Sequence, residues 1–202
     1  NIAFQASLLI DDLTFETLFK NDSTANENKF GYQVGGLWTE AFTIPNVTLA
    51  LEYTRLDPFV YSHRSNKNSY TNWDMSLGHA LPPNSDEIAA NLKVDITSRL
   101  RFNFLYQMQR SGTGFLYDSL GNVIKNYGGN INRGDLDQPR YGKHKFLVGN
   151  RINRHIFTFD LVYEPIRQYF LYLKYQYKIS DLLYLSKTMK DSYYWVTLRI
   201  DY

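Results

Sequence analysis

The sequence predicts an all-β fold, namely an antiparallel transmembrane β-barrel with about eight strands. Apolar and polar residues alternate with a period of two in nearly every strand-like segment, and the apolar rows are rich in Tyr and Phe. Such rows are typical of a barrel wall that faces lipid and carries aromatic girdles. The connections alternate between short and long, as periplasmic turns and extracellular loops do in outer-membrane barrels. Together the two patterns predict a bacterial outer-membrane protein whose long loops face the cell exterior.

Composition limits the size and class of the protein. The 202 residues are enough for one domain, residues 1–202, which is either a complete small barrel or the C-terminal portion of a larger one. With 22 basic and 20 acidic residues the net charge is +2, which argues against nucleic acid as a partner. The absence of cysteine excludes disulfides, thiolate metal sites and cysteine nucleophiles. No stretch approaches the roughly 20 apolar residues of a membrane helix, but barrel strands need none, since half of their side chains face a polar lumen.

The alternation locates the strands along the chain. We predict them at residues 2–10, 30–40, 46–55, 86–97, 99–110, 146–164, 168–179 and 192–202. The apolar sides of the third and fourth strands consist of Val47, Leu49, Leu51 and Tyr53, and of Ile88, Leu92, Val94 and Ile96. Their opposite sides carry Thr48, Glu52, Asn91, Lys93 and Asp95. The polar side of the sheet is therefore expected to hold charges of both signs.

Later strands repeat the pattern with more aromatic residues. In the fifth, Leu100, Phe102, Phe104, Tyr106 and Met108 oppose Arg101, Asn103, Gln107 and Gln109. In the seventh, Tyr169, Leu171, Leu173, Tyr175 and Tyr177 oppose Lys174, Gln176 and Lys178. In the eighth, Tyr194, Val196, Leu198, Ile200 and Tyr202 oppose Thr197, Arg199 and Asp201. A chain that ends on an aromatic residue in such a strand resembles the C-terminal signal of outer-membrane proteins, which implicates Tyr202 in membrane assembly.

The connections fall into two length classes. Tight connections are predicted at 41–45, 97–99 and 164–167, and they include Pro45 and Pro165. Long polar connections are predicted at 11–29, 57–85, 111–145 and 180–191. Strict alternation of the two classes puts every long connection at the same end of the sheet. A soluble sandwich or a lipocalin-like barrel has no reason to sort its loops in this way.

The third strand and the loop that follows it carry a recognisable progression of motifs. It runs Glu52-Tyr53-Thr54-Arg55, then Pro58, then Tyr61-Ser62-His63, then Leu77-Gly78-His79-Ala80-Leu81-Pro82-Pro83-Asn84. This progression resembles that of the Wzi-type capsule assembly family. Ile10-Asp11-Asp12-Leu13, Gly31 to Gly36 and Tyr141-Gly142 fall in similar order, although Pro82 stands where the family usually has Gly.

The resemblance implies a non-catalytic, lectin-like outer-membrane barrel that attaches or assembles capsular or other surface polysaccharide at the cell exterior. It also implies three partners, which are that polysaccharide, outer-membrane lipid and the barrel assembly machinery. Family members are considerably longer and have about twice as many strands, so the chain would be the C-terminal half of such a barrel. A porin-like diffusion channel is the alternative function.

The connection at 57–85 is the best candidate for glycan contact. Aromatic faces stack on the C–H patches of sugars and planar polar groups satisfy their hydroxyls. This connection supplies both kinds in Tyr61, His63, Arg64, Tyr70, Asn72, Trp73, Asp74 and His79. The alternative is that Tyr61, Trp73 and Pro58 pack the loop over the barrel mouth, and that Glu52 and Arg55 form an ion pair at its rim.

The remaining charged and chemically reactive residues favour structure over catalysis. A lumen set that could line a pore or form a neutralising network consists of Glu52, Arg55, Lys93, Asp95, Arg101, Asp160, Lys174, Arg199 and Asp201. Neither the four histidines nor the carboxylates of Asp11-Asp12 and Asp135-Leu136-Asp137 have the spacing of a metal site. Ser62 and His63 are sequence neighbours whose side chains point apart, and no Gly-x-Ser-x-Gly elbow is present. We therefore expect no metal, no cofactor and no enzymatic activity.

Overall fold

A single antiparallel sheet dominates the computed structural model, which describes residues 1–13, 15, 28–63, 69–73, 75–113, 115–120, 123–133 and 145–201. The strands are β1 (Ile2–Asp12), β2 (Lys29–Thr39), β3 (Val47–Leu56), β4 (Thr71–Asn72), β5 (Met75–Ser76), β6 (Ser85–Thr97), β7 (Leu100–Thr113), β8 (Phe115–Tyr117), β9 (Val123–Asn126), β10 (Asn150–Ile166), β11 (Tyr169–Leu182) and β12 (Lys187–Ile200). Eight of them form the main sheet, while β4–β5 and β8–β9 are separate small hairpins. In the described part of the chain, no helix is long and apolar enough to cross a membrane.

The eight predicted strands are confirmed, and so is the all-β antiparallel class. The strands of the main sheet follow the order β1-β2-β3-β6-β7-β10-β11-β12, so each one pairs with its neighbours along the chain. The long connections at 13–28, 57–84 and 114–149 all leave one end of this sheet, which we call the loop end. The opposite, turn end carries the connections at 40–46, 98–99 and 167–168. Sorting of the long loops to one end therefore follows directly from the up-and-down topology.

The predicted long connection at 180–191 is wrong. β11 continues to Leu182 and β12 begins at Lys187, and these two residues pair with each other. The turn between them is a short 3₁₀ segment, Leu183–Leu185, closed by Ser186 in the left-handed region at φ 49°. The period-two alternation is lost in this stretch because the polar residues Thr188 and Lys190 lie on the otherwise apolar side. The backbone hydrogen bonds between the two strands form regardless of side-chain polarity.

Antiparallel register divides the main sheet into two faces. On the apolar face, one row of paired residues crosses all eight strands as Ile2, Trp38, Leu49, Leu92, Phe104, Phe159, Tyr175 and Tyr194. On the polar face, another row runs as Ser7, Gln33, Thr54, Glu87, Gln109, Arg154, Ser180 and Met189. The predicted alternation is therefore a property of the whole sheet and not of single strands.

Burial on these faces is the reverse of that in a soluble sheet. On the polar face Thr54 and Thr158 are each only 3% exposed, whereas on the apolar face Phe4 is 85% and Val196 73% exposed. In a single-layer sheet, same-face neighbours crowd together on the inside of a curve and spread apart on the outside. We infer that the sheet curves around its polar face. Within the described residues β1 and β12 do not pair with each other, so the sheet is open along these two edges.

Among the described residues, the buried apolar side chains form one cluster, which lies at the loop end. It consists of Leu56, Val60, Tyr61 and Leu81, against which the partly buried Leu9 and Ile131 pack. Four of these six residues lie in connections and two in strands, so this core joins the loops to the sheet. It fixes Val60, Tyr61 and Leu81 of the 57–84 connection against the ends of β1 and β3.

The left-handed residue of the β11–β12 turn gives a test of this fold. We expect Ser186→Gly to raise the free energy of unfolding by about 1 kcal/mol, because glycine adopts positive φ without the steric cost that a Cβ brings. The matched control is Lys187→Gly, which lies in extended backbone and should lower stability by about 0.5–1 kcal/mol. Urea unfolding of both variants measures the two effects. Equal destabilisation by both would contradict the turn as described.

Candidate functional site

Buried backbone anchors the start of the 57–84 connection. Phe59, Val60 and Ser62 are almost completely inaccessible, and Phe59 and Tyr61 adopt positive φ. The N–H of Phe59 donates to the carbonyl oxygen of Gly128 at 2.9 Å. At Gly128, whose φ is 79°, an added Cβ would lie 2.6 Å from the Phe59 ring. The 57–84 and 114–149 connections are thus packed against each other at a point where only glycine fits.

Asn84 ties three parts of the chain together at the end of the same connection. Its side-chain amide is fully buried and donates to the carbonyl oxygens of Gly112, Tyr127 (3.1 Å) and Val148 (2.9 Å). Its Oδ1 accepts from the N–H of Leu147 at 2.7 Å. One side chain therefore fixes the end of β7 and two points of the 114–149 connection relative to the start of β6.

Tyr61, Gly78 and His79 of the motif progression contact one another. The Tyr61 ring lies so close to Gly78 that a Cβ at Gly78 would clash with it. The N–H of His79 donates to the Tyr61 hydroxyl at 3.3 Å, and His79 Nδ1 accepts from the N–H of Leu81 at 3.0 Å. The N–H of Tyr61 donates to Asp11 Oδ2 at 3.0 Å, which reaches back to β1. Tyr61 is 5% exposed, so it supports the loop from inside and its ring does not face solvent.

Ser62 and His63 have different surroundings despite being neighbours. The Ser62 hydroxyl is buried and has no hydrogen-bond partner among the described residues, while its carbonyl oxygen accepts from Lys29 Nζ at 3.1 Å. His63 is partly exposed, and its Nε2 lies 3.7 Å from Asp11 Oδ1. This geometry does not pair a serine nucleophile with the imidazole. Across the described ranges, no group of three His, Asp or Glu side chains is placed to hold a metal ion.

The small β4–β5 hairpin projects from this anchored base. Its base is joined to Tyr61, because the Tyr70 N–H donates to the Tyr61 carbonyl oxygen at 3.1 Å and the two ring centroids are 5.8 Å apart. Trp73, at positive φ between the two strands, is 92% exposed, and Asn72 and Met75 beside it are also exposed. The hairpin therefore presents a large aromatic side chain to solvent from a fixed support.

The sequence-predicted glycan residues separate into three groups. Tyr61 is buried and His79 is held within the loop, whereas His63, Tyr70, Asn72 and Trp73 are partly or fully exposed on the loop-end surface. Arg64 and Asp74 lie outside the described residues, as do Tyr202, His144, Tyr141-Gly142 and the Asp135–Asp137 stretch. Sequence reasoning missed Asn84 as an anchor. The available signal was an Asn directly after Pro82-Pro83, since Asn is enriched at left-handed positions and Asn84 has φ 55°.

The predicted lumen residues form several small clusters on the polar face. Asp95 binds Arg101 Nε at 2.7 Å and lies 3.6 Å from Lys93 Nζ, and Arg199 Nε binds Asp201 at 2.6 Å. Elsewhere on this face, Gln5 donates to Glu52 at 3.2 Å, Asn103 donates to Asp160 at 3.2 Å, and Lys174 Nζ lies 5.5 Å from the Trp195 ring centroid. The buried Glu87 carboxylate, absent from the predicted set, accepts from Gln107 and Gln109. Most of these charges are thus matched locally.

Arg55 corrects the sequence prediction. It lies on the apolar face, paired with Tyr32 and Asp86, whereas Glu52 lies on the polar face. Residues three apart in a strand point to opposite sides, so the predicted Glu52–Arg55 ion pair does not form. Arg55 instead binds Asp57 at 2.9 Å and lies over the ring of Phe146, 3.8 Å from its centroid.

Charged residues also lie at the edge of the apolar face that is nearest to the loops. Arg110 Nε binds Asp86 Oδ1 at 2.9 Å, and the Tyr53 hydroxyl donates to Asp86 Oδ2 at 3.2 Å. Together with the Arg55–Asp57 pair they form a row of ionic groups, which we call the polar rim, where the apolar side chains stop. The rim separates the apolar face from the anchored loops.

Asn84 provides a test of how the loops are held. We expect Asn84→Ala to lower the free energy of unfolding by about 3 kcal/mol, because it leaves several buried backbone groups without a hydrogen-bond partner. Limited proteolysis should then cut the 57–84 and 114–149 connections faster while the strands stay protected. The matched control is Asn72→Ala on the exposed hairpin, which should change neither stability nor cleavage. Unaltered cleavage of Asn84→Ala would show that the loops are held by other contacts.

Comparison with known proteins adds no relative to this picture. No family model, no curated protein and no solved structure matches the chain. The likeness to the Wzi-type family therefore rests on the motif residues alone.

Proposed function

We propose that this chain forms wall strands of an outer-membrane β-barrel that attaches capsular or other surface polysaccharide at the cell exterior, without catalysis. The observation that carries the proposal is the reversed burial of the main sheet. On the apolar face Phe4, Leu51 and Val196 are more than half exposed, whereas on the polar face Thr54, Glu87 and Thr158 are buried. A surface of this kind is stable against lipid and unfavourable against water.

Dimensions of the apolar face agree with a bilayer. On β7 the apolar residues run from Leu100 to Met108, which is about 27 Å along a strand at about 3.4 Å per residue. A membrane-spanning strand tilted by about 45° needs roughly 9–11 residues, and Leu100 to Met108 comprises nine. The polar rim at Arg110 and Asp86 ends the apolar face on the loop side, where lipid headgroups would begin.

The two unpaired edges of the described sheet favour its closure into a barrel. Unpaired strands as long as β1 and β12 invite uncontrolled association, and barrels remove the problem by leaving no edge. With eight strands in an up-and-down order, β1 and β12 run antiparallel. The edges can therefore close against each other or through further strands of a larger barrel, and both arrangements keep the long loops at one end.

The loop end carries the proposed polysaccharide contacts. Trp73, Tyr70, Asn72 and His63 are accessible there, and the buried Tyr61 and Asn84 hold the base beneath them. An exposed indole and phenol offer faces for sugar rings, and the neighbouring amide and imidazole offer hydrogen bonds. Many shallow contacts along a repeating polymer retain it by avidity. Attachment of this kind needs no reactive group.

Adjacent residues on β3 test the membrane part of the proposal. We expect Leu51→Lys, in the middle of the apolar face, to lower the free energy of unfolding in lipid vesicles by about 2–4 kcal/mol. Glu52→Lys, the next residue on the polar face, should cost far less because that side faces water in a barrel. Urea unfolding of the reconstituted chains measures both. Equal costs for the two variants would rule out a lipid-facing apolar face.

Retention of polymer on cells tests the attachment part. In a host whose native gene is deleted, complementation with Trp73→Ala should leave more surface polysaccharide in the medium and less on washed cells than the native sequence does. The matched control is Tyr184→Ala, an exposed aromatic in the β11–β12 turn, which should retain polymer normally. Both variants must reach the outer membrane in equal amounts. Normal retention in the deletion itself would refute attachment and favour a diffusion channel, which conductance would then reveal.

A further inference from the structure

Aromatic residues on the polar face are confined to one corner of the sheet. In the described strands, that face carries four aromatic side chains, and all of them lie on β11 and β12, namely Phe170, Tyr172, Trp195 and Tyr193. The other six long strands place polar, small or aliphatic residues on the same face. A random scatter of aromatics across eight strands would not concentrate in two neighbours.

The four rings form a file of two pairs on adjacent strands, Phe170 and Tyr172 on β11 and Trp195 and Tyr193 on β12. Phe170 pairs with Arg199, Tyr172 with Thr197, Lys174 with Trp195 and Gln176 with Tyr193, so each successive ring is one paired row further from the turn end. From the row of Phe170 to the row of Tyr193 there are three steps of two residues each, which cover about 20 Å along the strands. Within the file the Phe170 and Tyr172 ring centroids are 6.2 Å apart, and those of Tyr193 and Trp195 are 5.9 Å apart. We call these four residues the aromatic track.

The track ends in a cavity on the same face. This cavity has a volume of about 330 Å³ and lies at the turn end, where Tyr172 and Phe170 form part of its wall. Charged side chains complete the lining, among them Asp95, Arg101 and Glu164. A pocket of this size that combines aromatic walls with polar groups has the composition of a small-ligand site.

Flanking groups indicate the chemistry of the ligand. Lys174, Gln176, Thr197 and Arg199 pair directly with the track residues, so polar side chains accompany every ring. Arg199 is matched by Asp201 and Arg101 by Asp95, which leaves no large excess of one charge beside the rings. A hydrocarbon ligand would take these groups out of water and offer them no hydrogen bonds in return. A sugar polymer satisfies them with its hydroxyls while its C–H faces stack on the rings.

We propose that the aromatic track and its terminal cavity bind a linear polysaccharide chain along the polar face, at a site separate from the loop-end hairpin. This inference rests on the proposed function insofar as the polymer is the same, but it places saccharide contacts near the turn end as well. The track would guide successive sugar units along the inside of the wall. The hairpin at Trp73 would hold the polymer outside.

Tryptophan fluorescence can observe the two sites independently. The chain has three tryptophans, Trp38, Trp73 and Trp195. Replacing Trp38 and Trp73 by Phe leaves Trp195 as a reporter of the track, and replacing Trp38 and Trp195 by Phe leaves Trp73 as a reporter of the hairpin. Both full-length reporters are folded in detergent and titrated with size-fractionated fragments of surface polysaccharide from the native host, with dextran as the control polymer.

The expected result is a saturable quench and blue shift of Trp195 with the surface polysaccharide fragments and not with dextran. In the Trp195 reporter, Tyr172→Ala should raise the half-saturation concentration about tenfold, the size expected for loss of one stacking contact. Tyr172→Phe keeps the ring and should restore most of the affinity. Tyr194→Ala, on the apolar face of β12, is the matched control and should leave the titration unchanged.

Each pattern of response decides between the proposals. A response of Trp73 without one of Trp195 would overturn the track and leave the attachment proposal standing. A response of Trp195 without one of Trp73 would support the track and refute the hairpin as the attachment site. No response from either reporter would overturn both the track proposal and the attachment proposal. Loss of Trp195 response in Tyr194→Ala as well as in Tyr172→Ala would also refute the track, because it would trace the effect to the strand and not to the polar face.

Discussion

Antiparallel pairing with a two-residue period is the constraint on which the rest of this structure depends. Each inner strand of the main sheet is fixed in register by two neighbours, so the parity of a residue decides its face. A slip of one residue would move Leu51 to the polar side and Glu52 to the apolar side, and would do the same to every other residue of β3. The reversed burial, the polar rim and the aromatic track all exist because this register is kept across eight strands.

Sequence alone was sufficient for the strands because the same physics acts within each of them. Alternation is a local signal, and Leu100 to Met108 or Leu171 to Tyr177 display it without reference to any partner. It failed where polar residues occupy both faces, as at Lys187 to Lys190, although backbone pairing continues there. Closure of the sheet is not a local property at all, since it depends on which strand lies beside β1 and β12.

At the loop end, the sequence predicted less of the structure than it did for the strands. Tyr61 and His79 were selected as glycan contacts by residue type, and the structure places both in the support beneath the exposed hairpin. Residue type could identify Trp73 and Tyr70 as available aromatics, but not Asn84 as the anchor, because its partners come from β7 and from a distant connection. Arg55 was assigned to the lumen set, but it lies on the apolar face, where it contacts Asp57 and Phe146. Glu52 lies on the opposite face and cannot reach it.

The contacts of Asn84 also impose an order of events on folding. Its hydrogen bonds to Leu147 and Val148 span 63 and 64 residues of chain. Pairing of β6 with β7 begins at Thr97 and Leu100, and pairing of β3 with β6 begins at Leu56 and Ser85, which are closer together in the sequence. Closing long loops is entropically costly and slow compared with zipping adjacent strands. The sheet up to β7 can therefore assemble while the Asn84 side chain still lacks part of its partners, and the anchor at Asn84 is complete only once the 145–149 segment arrives. A chain arrested before β10 would carry the first five strands of the main sheet but not an anchored loop end.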